Sequence, residues 1–192
     1  GGDALLSVLD AILDYSRIEH GAVALAAEPF ALRECLDGAL AVAAPPGAAA
    51  HVSLRVSLDP RLPARLVGDI TRVRQVLINL IGNAIKFTPP GELVVAATRG
   101  AAADGAPRLV LAVRDTGIGI PPERRDRLFQ AFSQVDGSST RRYGGAGLGL
   151  AITGRLVAQM RGSIRVDSTP DQGSEFVVEL PLTPVPDDAP SL

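Results

Sequence analysis

Asp69-Ile-Thr-Arg-Val-Arg-Gln-Val-Leu-Ile-Asn-Leu-Ile-Gly-Asn-Ala-Ile-Lys-Phe87 is the stretch from which the rest of the chain can be read. Asp69 stands where an N-cap belongs, apolar residues follow with a helical period, and Pro89-Pro90-Gly91 stop the run, so a helix is expected over 70–87. At about 100° per residue, Asn79, Asn83 and Lys86 fall within about 60° of one another, joined by Gln75 and Arg72. Val73, Leu77, Leu80, Ile81, Ala84 and Ile85 take the opposite side. The helix is therefore expected to lie on a core and to turn two carboxamides and an ammonium toward something else. A solvated face is the plainer reading of polar residues at this spacing, but residue usage argues against it. Lys86 is the only lysine of the chain and Asn79 and Asn83 are its only asparagines, so all three fall within eight positions. Amide oxygens can ligate a hard cation, and lysine holds phosphate as a point charge.

Outward from this helix, strands and helices alternate. Residues 3–20 carry Leu5, Leu6, Leu9, Ile12, Leu13 and Ile18 at helical spacing, with Gly21 as the stop. A second helix is expected over 30–43, ended by Pro45-Pro46-Gly47, and His51–Leu58 alternates as a half-buried strand before a turn at Asp59-Pro60. Leu93–Thr98 and Leu109–Arg114 read as an antiparallel pair. Residues 121–145 have little periodicity beyond a short helical piece near Arg124–Ala131, a length that marks a functional loop. A helix from Leu148 to Met160 and strands at Ile164–Asp167 and Phe176–Leu180 complete an α/β sandwich, with helices on one face of a mixed sheet.

Composition sets the bounds. The chain has 192 residues, enough for one domain and a short appendage. Nineteen basic side chains nearly cancel 21 acidic ones, and the arginines are scattered, so no nucleic-acid footprint is expected. Cys35 is the single cysteine, which excludes an internal disulfide and a multi-thiolate zinc site and is expected to be a small buried apolar residue. No stretch approaches eighteen continuous apolar residues, so a membrane is expected only through domains beyond this stretch, with the domain itself cytoplasmic. Gly1-Gly2 and the Pro-rich 184–190 read as cut ends of something longer.

Two more segments carry chemistry. Asp115-Thr-Gly-Ile-Gly119 follows a strand; its glycines let a flat ligand approach, and an acidic acceptor beside such a surface can read an exocyclic amine. Tyr143-Gly-Gly-Ala-Gly-Leu-Gly149 opens a helix, where free backbone N–H groups favour phosphate. A P-loop is excluded, because the only lysine lies between Ile85 and Phe87; a dinucleotide fingerprint fails at Pro122 and Ile152.

Taken in order, Asn79–Lys86, Asp115–Gly119, Phe129-Gln-Ala-Phe132, Gly144–Gly149 and Thr169-Pro-Asp-Gln-Gly-Ser-Glu-Phe176 resemble the N, G1, F, G2 and G3 boxes of two-component sensor histidine kinases, over residues 50–182. Leu13-Asp-Tyr-Ser-Arg-Ile-Glu-His-Gly21 is similar to the end of the second dimerisation helix, notably in hybrid kinases. The resemblance implies a Bergerat-type fold: a dimerisation helix over 1–21, an ATP-binding catalytic domain over 22–182 and a linker over 183–192. It gives Asn83 the role of Mg²⁺ ligand, with Asn79 and Lys86 at the phosphates as the catalytic pair and Phe87 beside the base. Asp115 would accept from the adenine amine, and Gly117 and Gly119 would line the floor. Residues 121–146 would form a lid, anchored by Phe129 and Phe132. Gly145, Gly147, Leu148 and Gly149 would surround the phosphates with backbone amides, Arg141 or Arg142 would meet the γ-phosphate, and Gly173 and Ser174 would belong to the pocket wall. ATP and Mg²⁺ are the implied cofactors; a second subunit and a response-regulator receiver domain are the implied partners.

One departure matters. The family's acceptor histidine opens a His-Glu or His-Asp motif containing Arg-Thr-Pro, which nothing in the 192 residues matches. His20 stands at a helix end and His51 at the start of a strand, so neither is expected to accept phosphate. The rival enzyme reading is an ATP hydrolase of the wider gyrase and Hsp90 type. Those hydrolases carry a glutamate base where this chain has Asn79, and an amide cannot take a proton from water. A degenerate module that only docks a response regulator would show damaged boxes, and these are intact.

Overall fold

A computed structural model describes residues 9, 13, 16, 24–44, 51–87, 90–117, 119 and 149–185. The ten elements within them are β1 (Glu28–Ala31), α1 (Leu32–Ala43), β2 (Val52–Leu58), β3 (Arg65–Gly68), α2 (Ile70–Phe87), β4 (Gly91–Ala101), β5 (Pro107–Asp115), α3 (Gly149–Gln159), β6 (Ser163–Thr169) and β7 (Gly173–Pro181). Five strands form one sheet in the order β2-β4-β5-β7-β6. Only the β2–β4 pair is parallel, which makes the sheet mixed, as expected.

Alternation along the strands decides which side is covered. Leu93, Val95 and Ala97 of β4, Leu109, Leu111 and Val113 of β5, and Phe176, Val178 and Leu180 of β7 are all buried. They share one core with Leu36 of α1, Val76, Leu77, Leu80 and Ile81 of α2, and Leu156 of α3. The intervening Val94, Ala96, Val110 and Ala112 are only half-buried. The helices therefore cover one face, and α2 lies centrally, packed on α1, α3 and β5.

The helix 70–87 forms as its sequence predicts. Asp69 Oδ1 accepts from the Arg72 N–H at 3.1 Å, the N-cap bond, while Oδ2 accepts from the Ala26 N–H at 3.0 Å. Cys35 is fully buried, and burial pushes its thiol up to about 11, so it behaves as an apolar packing residue. After β2, the Asp59 carboxylate accepts from the N–H of Arg61 at 2.9 Å and from its guanidinium at 2.8 Å. The Arg61 side chain and N–H hold the Asp59 carboxyl well below the usual carboxylate range.

Two strands escape the sequence reading. The second helix begins at Leu32 rather than Phe30, because Glu28–Ala31 pair antiparallel with Arg65–Gly68 in a separate ribbon. Such short strands carry no usable periodicity, and the partner of Phe30 is Leu66, a pairing made by tertiary contact. The chain after β7 continues onto this ribbon: Val67 donates to the Thr183 carbonyl at 2.8 Å and Leu66 bridges Pro184. The catalogue of sheet strands also lengthens at both ends, β4 to eleven residues and β5 to nine. Of the expected helix 3–20, Leu9, Leu13 and Ser16 are helical; the remainder, the loop 121–145 with its short helical piece, and the segment 186–192 lie outside the described residues.

The β6–β7 turn presses on the segment that follows β5. Gly173 has φ +96°, and a Cβ there would overlap the Asp115 carbonyl; Gly119 has φ +72°, and a Cβ there would overlap the Thr169 carbonyl. Gly105 shares the positive φ, at +85°, yet faces open space. Gly105→Ala should therefore cost about 1–2 kcal/mol of backbone strain, whereas Gly173→Ala should cost clearly more, because backbone must move as well. Denaturant unfolding of the two variants measures this, and equal losses would mean that the close approach is unimportant.

Candidate functional site

Asp115 ends the buried row of β5. It follows Leu109, Leu111 and Val113 at two-residue spacing and is 7% exposed, so its carboxylate stands on the helix-covered side of the sheet. One oxygen, Oδ1, accepts from the Gly117 N–H at 2.8 Å. That bond curls the chain back over the strand end and fixes the carboxylate. Thr116 steadies the turn from the other side: its Oγ1 accepts from the Glu92 N–H at 3.0 Å, and its N–H donates to the Glu92 carbonyl at 3.2 Å. Gly117 and Gly119 are both buried. Buried carboxylates are retained where hydrogen bonds hold them.

Across the sheet, Ser174 is the register partner of Asp115 and is buried. Ser168 donates to the Gly173 carbonyl at 2.9 Å and meets Ser174 Oγ at 3.3 Å. Asp115, Gly117, Gly119, Gly173 and Ser174 therefore form one wall, made where β5 ends and β7 begins.

The α2 stripe forms the second part. Asn79, Asn83, Arg72 and Gln75 are half-buried and Lys86 is exposed, opposite the buried Val73, Leu77, Leu80, Ile81 and Ala84. Arg72 donates to Gln75 Oε1 at 3.0 Å. Asn79 Nδ2 donates to Thr153 Oγ1, on α3, at 3.2 Å. At the end of α2, a ring nitrogen of the exposed His51 lies 3.3 Å from the Ile85 carbonyl, beside the last turn. Phe87 is the last residue of α2, and Gly149 the first of α3. Arg141, Arg142, Gly145, Gly147, Leu148, Phe129, Phe132 and His20 lie outside the described residues.

Thr153 and Ser168 are site-region residues that sequence reasoning passed over. Local sequence carried little to mark them: Thr153 follows the apolar Leu150-Ala-Ile, and that Ser168 is the one buried residue of β6 emerges only from the fold. Among the described residues, no three His, Cys, Asp or Glu side chains gather as a metal cluster. The oxygen donors on the α2 stripe are instead carboxamides, one helical turn apart at Asn79 and Asn83.

The chain is similar to known proteins along most of its length. The GacS sensor histidine kinase of Pseudomonas protegens is 46% identical over 191 residues, which are 99% of this chain and 21% of that protein. The signal transduction histidine-protein kinase BarA of Escherichia coli K12 is 40% identical over 172 residues, 90% of this chain and 19% of that one. The chain thus spans about a fifth of the length of these curated relatives. Full-length ShkA, crystallised with AMPPNP, superposes with a TM-score of 0.83 at 35% identity, covering 99% of this chain and 38% of ShkA. The profile of the histidine kinase-, DNA gyrase B- and HSP90-like ATPases matches residues 68–184, from the last residue of β3 to the stretch beyond β7. With a mixed sheet covered by helices on one face and Asp115 at the end of its buried row, the chain belongs to the family of histidine kinase-, DNA gyrase B- and HSP90-like ATPases.

Proposed function

We propose that the chain is the ATP-binding catalytic part of a sensor histidine kinase, and that it passes the γ-phosphoryl group of ATP to a histidine other than His20 or His51. The observation that carries this reading is the buried Asp115 carboxylate, aimed to the helix side and held on one oxygen by the Gly117 N–H. A carboxylate only accepts hydrogen bonds, which suits the exocyclic amine of adenine and repels the carbonyl of guanine. Gly117 and Gly119 form the floor beneath the base, Ser174 the wall beside it, and Phe87 a flank. The relatives named as sensor histidine kinases, and the AMPPNP in the similar ShkA structure, support the same assignment.

The phosphate end falls to α2 and to the start of α3. Lys86 supplies a positive charge at the exposed end of the stripe, and Asn79 a carboxamide about two turns earlier. Gly145, Gly147, Leu148 and Gly149 offer backbone N–H groups at a helix N-terminus, and Arg142 a guanidinium toward the γ-phosphate. The carboxamide oxygen of Asn83 is a hard donor on a half-buried face, which fits Mg²⁺, an ion that takes one or two protein oxygens and keeps its other places for water and phosphate. Bound with the nucleotide, the ion supplies neutralisation of phosphate charge. What the chain contributes is alignment and counter-charge, the main demands of phosphoryl transfer. Asn79 has no basicity with which to activate water, so transfer is favoured over hydrolysis.

Residues 1–21 then belong to a dimerisation bundle, 22–182 to the catalytic domain and 183–192 to a linker. Leu9 and Leu13 are 47% and 54% exposed in the single chain, an apolar face that a second subunit would cover. A receiver domain is the consumer of the phosphoryl group. No helix of the described residues is long and apolar enough to cross a membrane.

Three measurements test the proposal. Asp115→Asn, which places a donor opposite the adenine amine, should weaken ATP by ten-fold or more in competition with a fluorescent adenine analogue, as loss of a charged hydrogen bond implies (about 1.5–3 kcal/mol); equal competition by ATP and GTP against the parent chain counts against the adenine assignment. Asn83→Ala should leave the fold intact and abolish most of the Mg²⁺-dependent gain in ATP affinity, read by calorimetry with and without the ion. The chain should bind ATP without labelling itself from γ-³²P-ATP, yet label in trans a helical hairpin that carries an acceptor histidine; acid-labile phosphate on His20 or His51 would overturn this, and rapid hydrolysis without transfer would favour the hydrolase reading.

A further inference from the structure

Thr153 is fully buried, a hydroxyl within the core-facing side of α3 between Ile152 and Leu156. Its place is hard to explain by packing alone, since valine has the same shape and would bury without a polar group. What the hydroxyl does is visible: it receives the Asn79 Nδ2 at 3.2 Å, across the α2–α3 interface and 74 residues away in sequence. Thr153 stands one turn into the helix that Gly149 opens, and Asn79 stands mid-way along α2. The bond therefore ties the carboxamide of one phosphate-side element to the root of the other.

We propose that Thr153 is a positioning residue for Asn79, setting the orientation of its carboxamide toward the phosphates without touching the nucleotide; this rests on the ATP-binding reading above. A carboxamide on a half-buried helix face has a broad terminal torsion, and its oxygen and its NH₂ group present opposite chemistry to an anion. With one Nδ2 hydrogen bonded to a buried hydroxyl, the amide plane is fixed, and with it the direction of the second Nδ2 hydrogen, the kind of group from which an anion can accept. Because α3 begins at the glycine run, any shift of its first turn is also conveyed to Asn79 through this bond. Phosphate contacts on the two helices are thereby set together.

The chain's own composition makes the test direct. With only two asparagines, selective ¹⁵N-asparagine labelling yields two side-chain NH₂ pairs, and the pair missing in Asn79→Ala identifies Asn79. In the ligand-free chain, Thr153→Val should shift the Asn79 pair and speed its exchange with solvent, while Thr153→Ser should leave both near the parent values. Thr153→Val should also weaken Mg²⁺-ATP about three- to ten-fold, the scale of one net hydrogen bond, with Thr153→Ser restoring it. In an Asn79→Ala background, Thr153→Val should have no further effect on ATP, a coupling that a merely structural threonine would not show. An Asn79 pair indifferent to Thr153→Val, or additive losses in the double variant, overturns the positioning role alone. A parent chain that binds no Mg²⁺-ATP overturns the nucleotide reading and the role together, and the NMR arm tells that case apart.

Discussion

The burial of one face of α2 is the constraint on which the other features depend. Val76, Leu77 and Ile81 are fully enclosed and Leu80 nearly so, between α1, α3 and the sheet. Each such side chain contributes about 1.5–3 kcal/mol relative to exposure. No rotation of the helix about its axis can keep those four residues enclosed and move the stripe of Asn79, Asn83 and Lys86 elsewhere. The orientation of the polar face is thus a by-product of apolar packing, and its side chains need no private scaffold. α1 and α3 contribute by closing the two flanks, and the β5 row by supplying the floor that α2 rests on.

The wall at the sheet edge is built by a different rule. There the scarce resource is space: the Asp115–Gly119 segment and the β6–β7 turn approach so closely that two glycines are required where the backbones meet. The tight fit excludes side chains and leaves polar backbone and short hydroxyls, Thr116, Ser168 and Ser174, to satisfy one another. A buried carboxylate is tolerable in such surroundings because donors are already in place. A helix packed by hydrocarbon and a wall packed by backbone thus meet on the same side of the sheet.

Much of this was legible in the sequence, for identifiable reasons. The helix 70–87 announced itself through its cap, its period and its proline stop, and the stripe through the confinement of Lys and Asn to a single segment. Asp115 was legible because a strand ran into it and glycines followed. What was not legible arises from contacts between distant segments. The β1–β3 ribbon comprises four-residue strands whose pairing joins Phe30 to Leu66, and nothing local distinguishes Glu28–Ala31 from the first turn of a helix. Thr153 was hidden for a similar reason: a threonine in an apolar helix has no meaning until the helix that donates to it is known to lie alongside. Roles at the site came from the family's boxes, since spacing gives a residue's place on an element and leaves its ligand unnamed.

The ribbon has a mechanical consequence. The segment that leads into β1 is fastened to the cap of α2 by the Ala26 N–H on Asp69, and the segment that leaves β7 is fastened to β3 by Val67 and Leu66. The way in and the way out are therefore anchored within the same short strip, at the base of the helix that carries Asn79. A pull on the entering segment meets the Ala26–Asp69 bond, and a pull on the leaving segment meets the Val67–Thr183 bond. Both flanking segments thus share one seam, the ribbon with the Asp69 cap, and the leaving segment touches Pro107 at the opposite end of β5 from the Asp115 wall.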